Sequence, residues 1–177
     1  MRTVILSALT GLAALAFSAP ALAQVSGDGG PIRVKADRSE VLERESKVIL
    51  IDNVDITQGD ARLRADVVTL EYGPAGNTTP SGLGSGFGDI QTMTARGNVF
   101  YVTPDLKATG DLGVYNAETD TITLTGNVVL VRCEDVGKGE RLTMQLAAGR
   151  TMLDGNVGEQ VNLVIIPGEG NGQRNCQ

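Results

Sequence analysis

The 177-residue chain contains no histidine and no tryptophan, only three phenylalanines and three tyrosines, and just two cysteines. Without histidine it lacks the commonest general base near neutral pH and the commonest nitrogen ligand for a metal ion. The cysteines, Cys133 and Cys176, lie far apart and outside any C-x-x-C pair, so no metal-ligand set can be assembled around them. The nucleophile elbow G-x-S-x-G, the Walker A loop and the G-x-G-x-x-G fingerprint are absent. The Gly-rich tract Gly82–Gly88 is followed by neither Lys-Ser/Thr nor a helix-opening pattern. The net charge of −6 comes without a basic cluster, which argues against nucleic acid and against charge-driven binding to anionic membranes. The reading is therefore of a protein that is no enzyme, with no catalytic residue, metal or cofactor assigned.

At the N-terminus, Arg2 precedes an apolar run from Val4 to Phe17. Pro20 then leads into the small-residue triplet Ala21-Leu22-Ala23. This is the pattern of a secretory signal peptide cleaved after Ala23, and the run falls short of the roughly 20 apolar residues a membrane span needs. The expected mature chain starts at Gln24 and has 177 − 23 = 154 residues, enough for one domain with a core. In an oxidising compartment Cys133 and Cys176 are expected to pair as a disulfide that ties the C-terminal tail to the body.

Two short patterns recur along the mature chain. One ends in an acid: Ile32–Asp37, Ala61–Asp66 and Leu106–Asp111, with a weaker copy ending at Glu140. The other centres on an Asn: Asn53, Asn98 and Asn127, with a degenerate copy at Asn156. Acid to Asn is 16 residues for Asp37–Asn53, Asp111–Asn127 and Glu140–Asn156, and Asn to the next acid is 13, so the period is 29. Only Asp66–Asn98 breaks it, at 32, and the 16-residue Gly73–Gly88 stretch accounts for the excess as a loop inserted into a repeat array. Around each Asn, apolar residues alternate with polar ones at period 2 with β-branched enrichment, which reads as strand. The Gly-Asn pairs sit inside these runs, where either a hairpin turn or a bulge fits. The apolar phase also shifts at each acid, implying a kink there, with the acid expected to accept hydrogen bonds from freed backbone amides. No segment carries a convincing helical stripe; Arg38–Glu45 comes nearest and is short. Arg62 and Arg64 fall on the polar side of their strand and read as a solvated face.

The stretch Ala36–Tyr72, with its A-D start, the strand NVDITQG and the strand LRADVVTL, resembles the OstA-like domain of the LptA family of lipopolysaccharide transport proteins. The later copies, Thr94–Arg132, are similar to the second half of that domain. The resemblance covers about Ile32 to Val161. It implies an all-β fold, an open-ended OstA-like β-jelly roll of repeated antiparallel strand units over 32–166. A flexible N-terminus (24–31), the 73–88 insertion and a polar tail (167–177) complete the chain. It further implies a periplasmic carrier that shields the acyl chains of lipid A between inner and outer membrane. The implied partners are lipopolysaccharide, an LptC-like inner-membrane protein, the N-terminal domain of the outer-membrane translocon, and further copies stacked head to tail. From the apolar phase of the strands, Leu50, Val54, Ile56, Leu63, Met93, Val99, Tyr101, Leu124, Val128 and Leu130 are expected to face inward onto lipid, with Ile49, Thr123 and Thr125 facing out. The alternative is a structural or adaptor β-domain of the same envelope assembly, whose apolar rows are only core. A carbohydrate-active β-solenoid would need more coils and an acidic cluster on one face.

Overall fold

A computed structural model describes residues 31–74 and 88–167. The expected signal segment 1–23, residues 24–30 and the tail beyond residue 167 lie outside the described residues, as does 75–87 within the expected 73–88 insertion. The strands are β1 (Arg33–Lys35), β2 (Arg38–Leu42), β3 (Lys47–Gln58), β4 (Ala61–Tyr72), β5 (Ile90–Val102), β6 (Leu106–Asn116), β7 (Thr121–Arg132), β8 (Asp135–Gln145), β9 (Arg150–Asp154) and β10 (Asn162–Val164). The Arg38–Glu45 stretch becomes β2 and a single 3-10 turn, Glu43–Glu45. All pairs are antiparallel in one sheet of order β1-β3-β4-β5-β6-β7-β8-β10. β2 also pairs with β3, and β9 also pairs with β8. Among the described residues the sheet does not close on itself, so β1/β2 form one free edge and β9/β10 the other.

Every second long strand, β3, β5 and β7, is two short ones joined at a bulge. Pairing of β3 with β4 skips between Ile51 and Val54, β5 with β6 between Arg96 and Val99, and β7 with β8 between Thr125 and Val128. Two residues there oppose one: Asp52-Asn53 face Asp66, Gly97-Asn98 face Asp111, and Gly126-Asn127 face Glu140. The φ angles of these pairs are positive, at 60° and 50°, 74° and 47°, and 80° and 50°. Asn and Gly are the residues that tolerate this backbone region at least cost. The Gly-Asn pairs are thus bulges within strands rather than hairpin turns. A bulge bends its strand, and here the bulges line up across the sheet.

The acid of each repeat receives the Asn of the following bulge. Asn53 Nδ2 donates to Asp37 Oδ2 at 2.7 Å, Asn98 to Asp66 at 2.9 Å and Asn127 to Asp111 at 2.8 Å. The partner is a side-chain amide, which the expectation of freed backbone amides did not foresee. The Asp66–Asn98 bond spans 32 positions and forms across the insertion just as its neighbours form across 16. The stem of that insertion is closed by Gly73 N to Asp89 O at 2.9 Å and Gly88 N to Gly73 O at 3.1 Å. The fourth copy fails: β9 ends at Asp154, and Asn156 instead accepts a bond from its neighbour Val157 N.

The bulge line divides the sheet into two half-sheets. One holds β2, the N-terminal halves of β3, β5 and β7, the C-terminal halves of β4, β6 and β8, and β9. The other holds β1, β10 and the complementary halves. Val68 and Leu142 from the first and Ile56 and Ala108 from the second are 0% exposed within a single hydrophobic cluster. The sheet is therefore folded over on itself, bend on one side and a seam between two rows of turns on the other.

Candidate functional site

The interior of the roll is built from alternate residues of every long strand. Of the ten residues expected to face inward, Leu50, Val54, Ile56, Leu63, Met93, Val99, Tyr101, Leu124 and Val128 are buried in that cluster. Leu130 is half-buried and packs against it. Ile49, Thr123 and Thr125, in the opposite phase, are each half-buried. The selection missed Ile122 at the start of the Asn127-centred run and the residues beyond the acids: Val68, Leu70, Tyr115, Leu142 and Met144 are equally buried. Their signal was present in the sequence, since the apolar phase changes at each acid and is restored by the bulge. The mid-strand glycine Gly113 leaves room that a Cβ would take from Leu124 and Val99, at 3.0 and 3.1 Å.

Space is distributed unevenly. In the middle of the roll, between Leu63 and Tyr101 on one half-sheet and Met93, Tyr115, Ile122 and Leu124 on the other, the void is about 20 Å³. That is close to one water-sized sphere. At the β1/β2 edge a cleft of about 720 Å³ lies over Val34, Val41, Val48, Leu50, Leu70 and Tyr72. At the β9/β10 edge a cleft of about 340 Å³ is lined by Leu130, Val136, Leu153, Leu163 and Ile165 among others. A third, of about 300 Å³, opens on the seam between Asp60, Leu106 and Arg132 on one lip and Met144 and Arg150 on the other. Apolar side chains stay exposed at both edges: Val34 and Val41 at one, Leu163 to Ile166 at the other.

Among the described residues the charged groups lie outside the buried interior. The Arg62 guanidinium bonds Asp55 on the neighbouring strand, its Nε donating to Oδ1 at 2.8 Å, and this contact holds the Asp55 carboxyl below its ordinary range. Arg62 and Arg64 are exposed on the solvated face expected of them, and Arg62 pairs there with Asp55. Inside, burial above all pushes the Tyr101 hydroxyl up to about 12, with Asp105, Asp120 and Tyr115 adding to the effect. Tyr115 donates its hydroxyl to Asp120 at 3.3 Å. Among the described residues no group of three or more Cys, Asp or Glu could hold a metal ion. Cys133, at φ 54° in the two-residue turn between β7 and β8, is disulfide-bonded. Cys176 lies outside the described residues.

An antiparallel sheet folded over an apolar interior, open at both edges and repeated in units of 29 residues, defines an open-ended β-jelly roll. Residues 33–150 match the family model described as LptA/(LptD N-terminal domain) LPS transport protein. The chain belongs to this family. It is 31% identical over 170 residues to an uncharacterized protein of Rhizobium meliloti, with 90% of this chain and 89% of that protein covered. It is 26% identical to the lipopolysaccharide export system protein LptA of Escherichia coli K12, covering 88% and 81% of the two chains. It is 32% identical over 124 residues to the LPS-assembly protein LptD of Sodalis glossinidius, 68% of this chain but 14% of that one. Among solved structures it resembles LptH of Pseudomonas aeruginosa, titled the LptA homologous periplasmic component of the lipopolysaccharide transport device. The TM-score is 0.62 at 21% identity, over 77% of this chain and 96% of that one.

Proposed function

We propose that the protein is a periplasmic carrier of lipopolysaccharide that shields the acyl chains of lipid A in the interior of the roll. The observation that carries this reading is the continuous apolar lining between two half-sheets left open at both edges, in a chain of the LPS transport family. Exposing one methylene to water costs about 0.8 kcal/mol, so a dozen-carbon chain costs about 10 kcal/mol. A carrier must offset that cost with apolar side chains and no bond-making chemistry. On this reading Leu50, Val54, Ile56, Leu63, Met93, Val99, Tyr101, Leu124, Val128 and Leu130 touch lipid. Copies stack head to tail through the free edges, and the end copies meet an LptC-like inner-membrane protein and the N-terminal domain of the outer-membrane translocon. Cleavage after Ala23 delivers the chain to the periplasm, where Cys176 pairs with Cys133.

The small central void favours a second reading, an adaptor domain whose interior is only core. A photo-crosslinking residue placed in turn at Leu50, Leu124, Ile49 and Thr123 separates them. A carrier gives lipopolysaccharide adducts from the first two and not the last two. No adduct at any position, with the protein folded and transport running, leaves the adaptor.

A further inference from the structure

The geometry points to a site for the phosphorylated headgroup of an acylated lipid at Arg132 and Arg150, on the seam of the roll; it rests on the carrier reading above and adds where the headgroup sits. Arg132 ends β7 on one half-sheet and Arg150 begins β9 on the other, so each lip of the seam cleft supplies one exposed guanidinium. The cleft between them is of mixed lining: Ala61, Tyr101, Leu106 and Met144 belong to the buried core, while Thr103, Gln145 and Thr151 are polar. Among the described residues neither arginine makes an ion pair; the surface cations that do are Lys47 and Arg62. Two acids, Asp60 and Asp105, share the cleft, and Asp105 Oδ1 is already engaged by the Thr103 hydroxyl at 2.9 Å.

Two guanidiniums without an ion-pair partner among the described residues, beside core side chains, are complementary to an anion attached to hydrocarbon, and the Asp60 and Asp105 carboxylates in the same cleft oppose it. A guanidinium meets phosphate oxygens in a two-pronged, charge-assisted contact that a neutral headgroup does not offer. Room for the chains lies next door: Arg132 and Thr151 also line the apolar cleft at the β9/β10 edge, so the seam and the mouth are continuous. The middle of the roll, with its void of about 20 Å³, takes no chain until the half-sheets part. The seam and the mouth therefore offer an amphipathic lipid a foothold while the middle is still closed.

The test measures binding of the mature protein to fluorescent lipid A carrying its phosphates and to the dephosphorylated lipid with the same chains. The readout is the ratio of the two affinities, taken for wild type, R132Q, R150Q, the double variant and the control R44Q, whose arginine is exposed in the 3-10 turn. Wild type and R44Q are expected to prefer the phosphorylated lipid, each seam variant to lose on the order of tenfold of that preference, and the double variant to show a ratio near one. Thermal melts of the variants identify any that unfold, and R132K and R150K, which keep the charge, should recover part of the preference. An undiminished ratio in the double variant overturns the site but leaves the carrier reading standing. Displacement of the lipid from wild type by inorganic phosphate at comparable concentration would assign the cleft to soluble phosphate and also overturn it. If wild type binds neither lipid, the carrier reading falls and the site with it.

Discussion

A Cβ built on Gly126, where φ is +80°, would lie 2.5 Å from Asp111 Oδ2, the atom that takes the Asn127 amide. Gly149, also at positive φ (60°), has nothing within 4 Å. The pair separates backbone strain from the cost of displacing the acid. Gly149→Ala should cost about 1–2 kcal/mol, the price of an L side chain in the left-handed region. Gly126→Ala should exceed it by about 1 kcal/mol, the worth of the displaced hydrogen bond. Equal midpoint shifts in urea would mean that Asp111 moves aside freely. Tyr101 carries a second prediction at this scale. Its raised folded-state value, about 12, means that the stability it contributes is present below the ordinary tyrosine range and is lost as pH climbs through 12. Tyr101→Phe should flatten the alkaline limb of the stability curve between about pH 10 and 12. An unchanged limb would assign the alkaline loss to other groups.

The element that repeats is a bulged strand with an Asp–Asn clasp at its bend, and its quality declines towards the C-terminus. The clasps at Asn53, Asn98 and Asn127 are formed, whereas at Asn156 the strand has already ended and the chain crosses to β10 without one. β9 and β10 have five and three residues, and β10 is exposed throughout. Local opening free energy follows buried contact and hydrogen-bonding density. Amide hydrogen exchange should therefore be fastest in β1, β9 and β10 and slowest in β4 to β7. Protection of β10 equal to that of β6 in dilute monomer would contradict this gradient. Packing between the half-sheets tells the same story from inside: the seven fully buried large side chains all lie in β3, β4, β5, β7 and β8.

For the whole molecule the two free edges are the decisive feature. An exposed edge strand with apolar side chains is a template for pairing with another chain. Here one edge carries Leu163 to Ile166 and the other a cleft of about 720 Å³ over Val34 and Val41. Two different surfaces that fit each other give a head-to-tail contact, which grows filaments rather than closed dimers. Under the carrier reading, sedimentation of the mature protein should show assemblies that lengthen with concentration, and Leu163→Glu with Ile165→Glu should return it to monomer. A wild type that stays monomeric at high concentration, or a variant that assembles as before, would rule out this edge as the contact.

The all-β class, the 29-residue spacing of acids and Asn residues, the 16 extra residues between Asp66 and Asn98 and the apolar phase of the Asn-centred strands are legible in the chain alone. Each of these is a local regularity: period-2 alternation survives in the chain whatever the strands do next, and Asp66 stands 32 rather than 16 residues from its Asn because 16 extra residues intervene. Val68, Leu142 and Met144 escaped the inward list although their phase was readable, because the list was drawn from the Asn-centred runs and Leu63 alone. Only the tertiary structure decided that the Gly-Asn pairs are bulges aligned into one bend, since a hairpin and a bulge place the same demand on φ. The partner of each acid was hidden for a similar reason. Asp66 and Asn98 meet only when β4 and β5 pair in one register, and no local pattern states that register. The openings lay furthest from the sequence. Arg132 and Arg150 belong to different half-sheets and share a cleft only because the sheet folds over, a consequence of three bulges acting together across the whole roll.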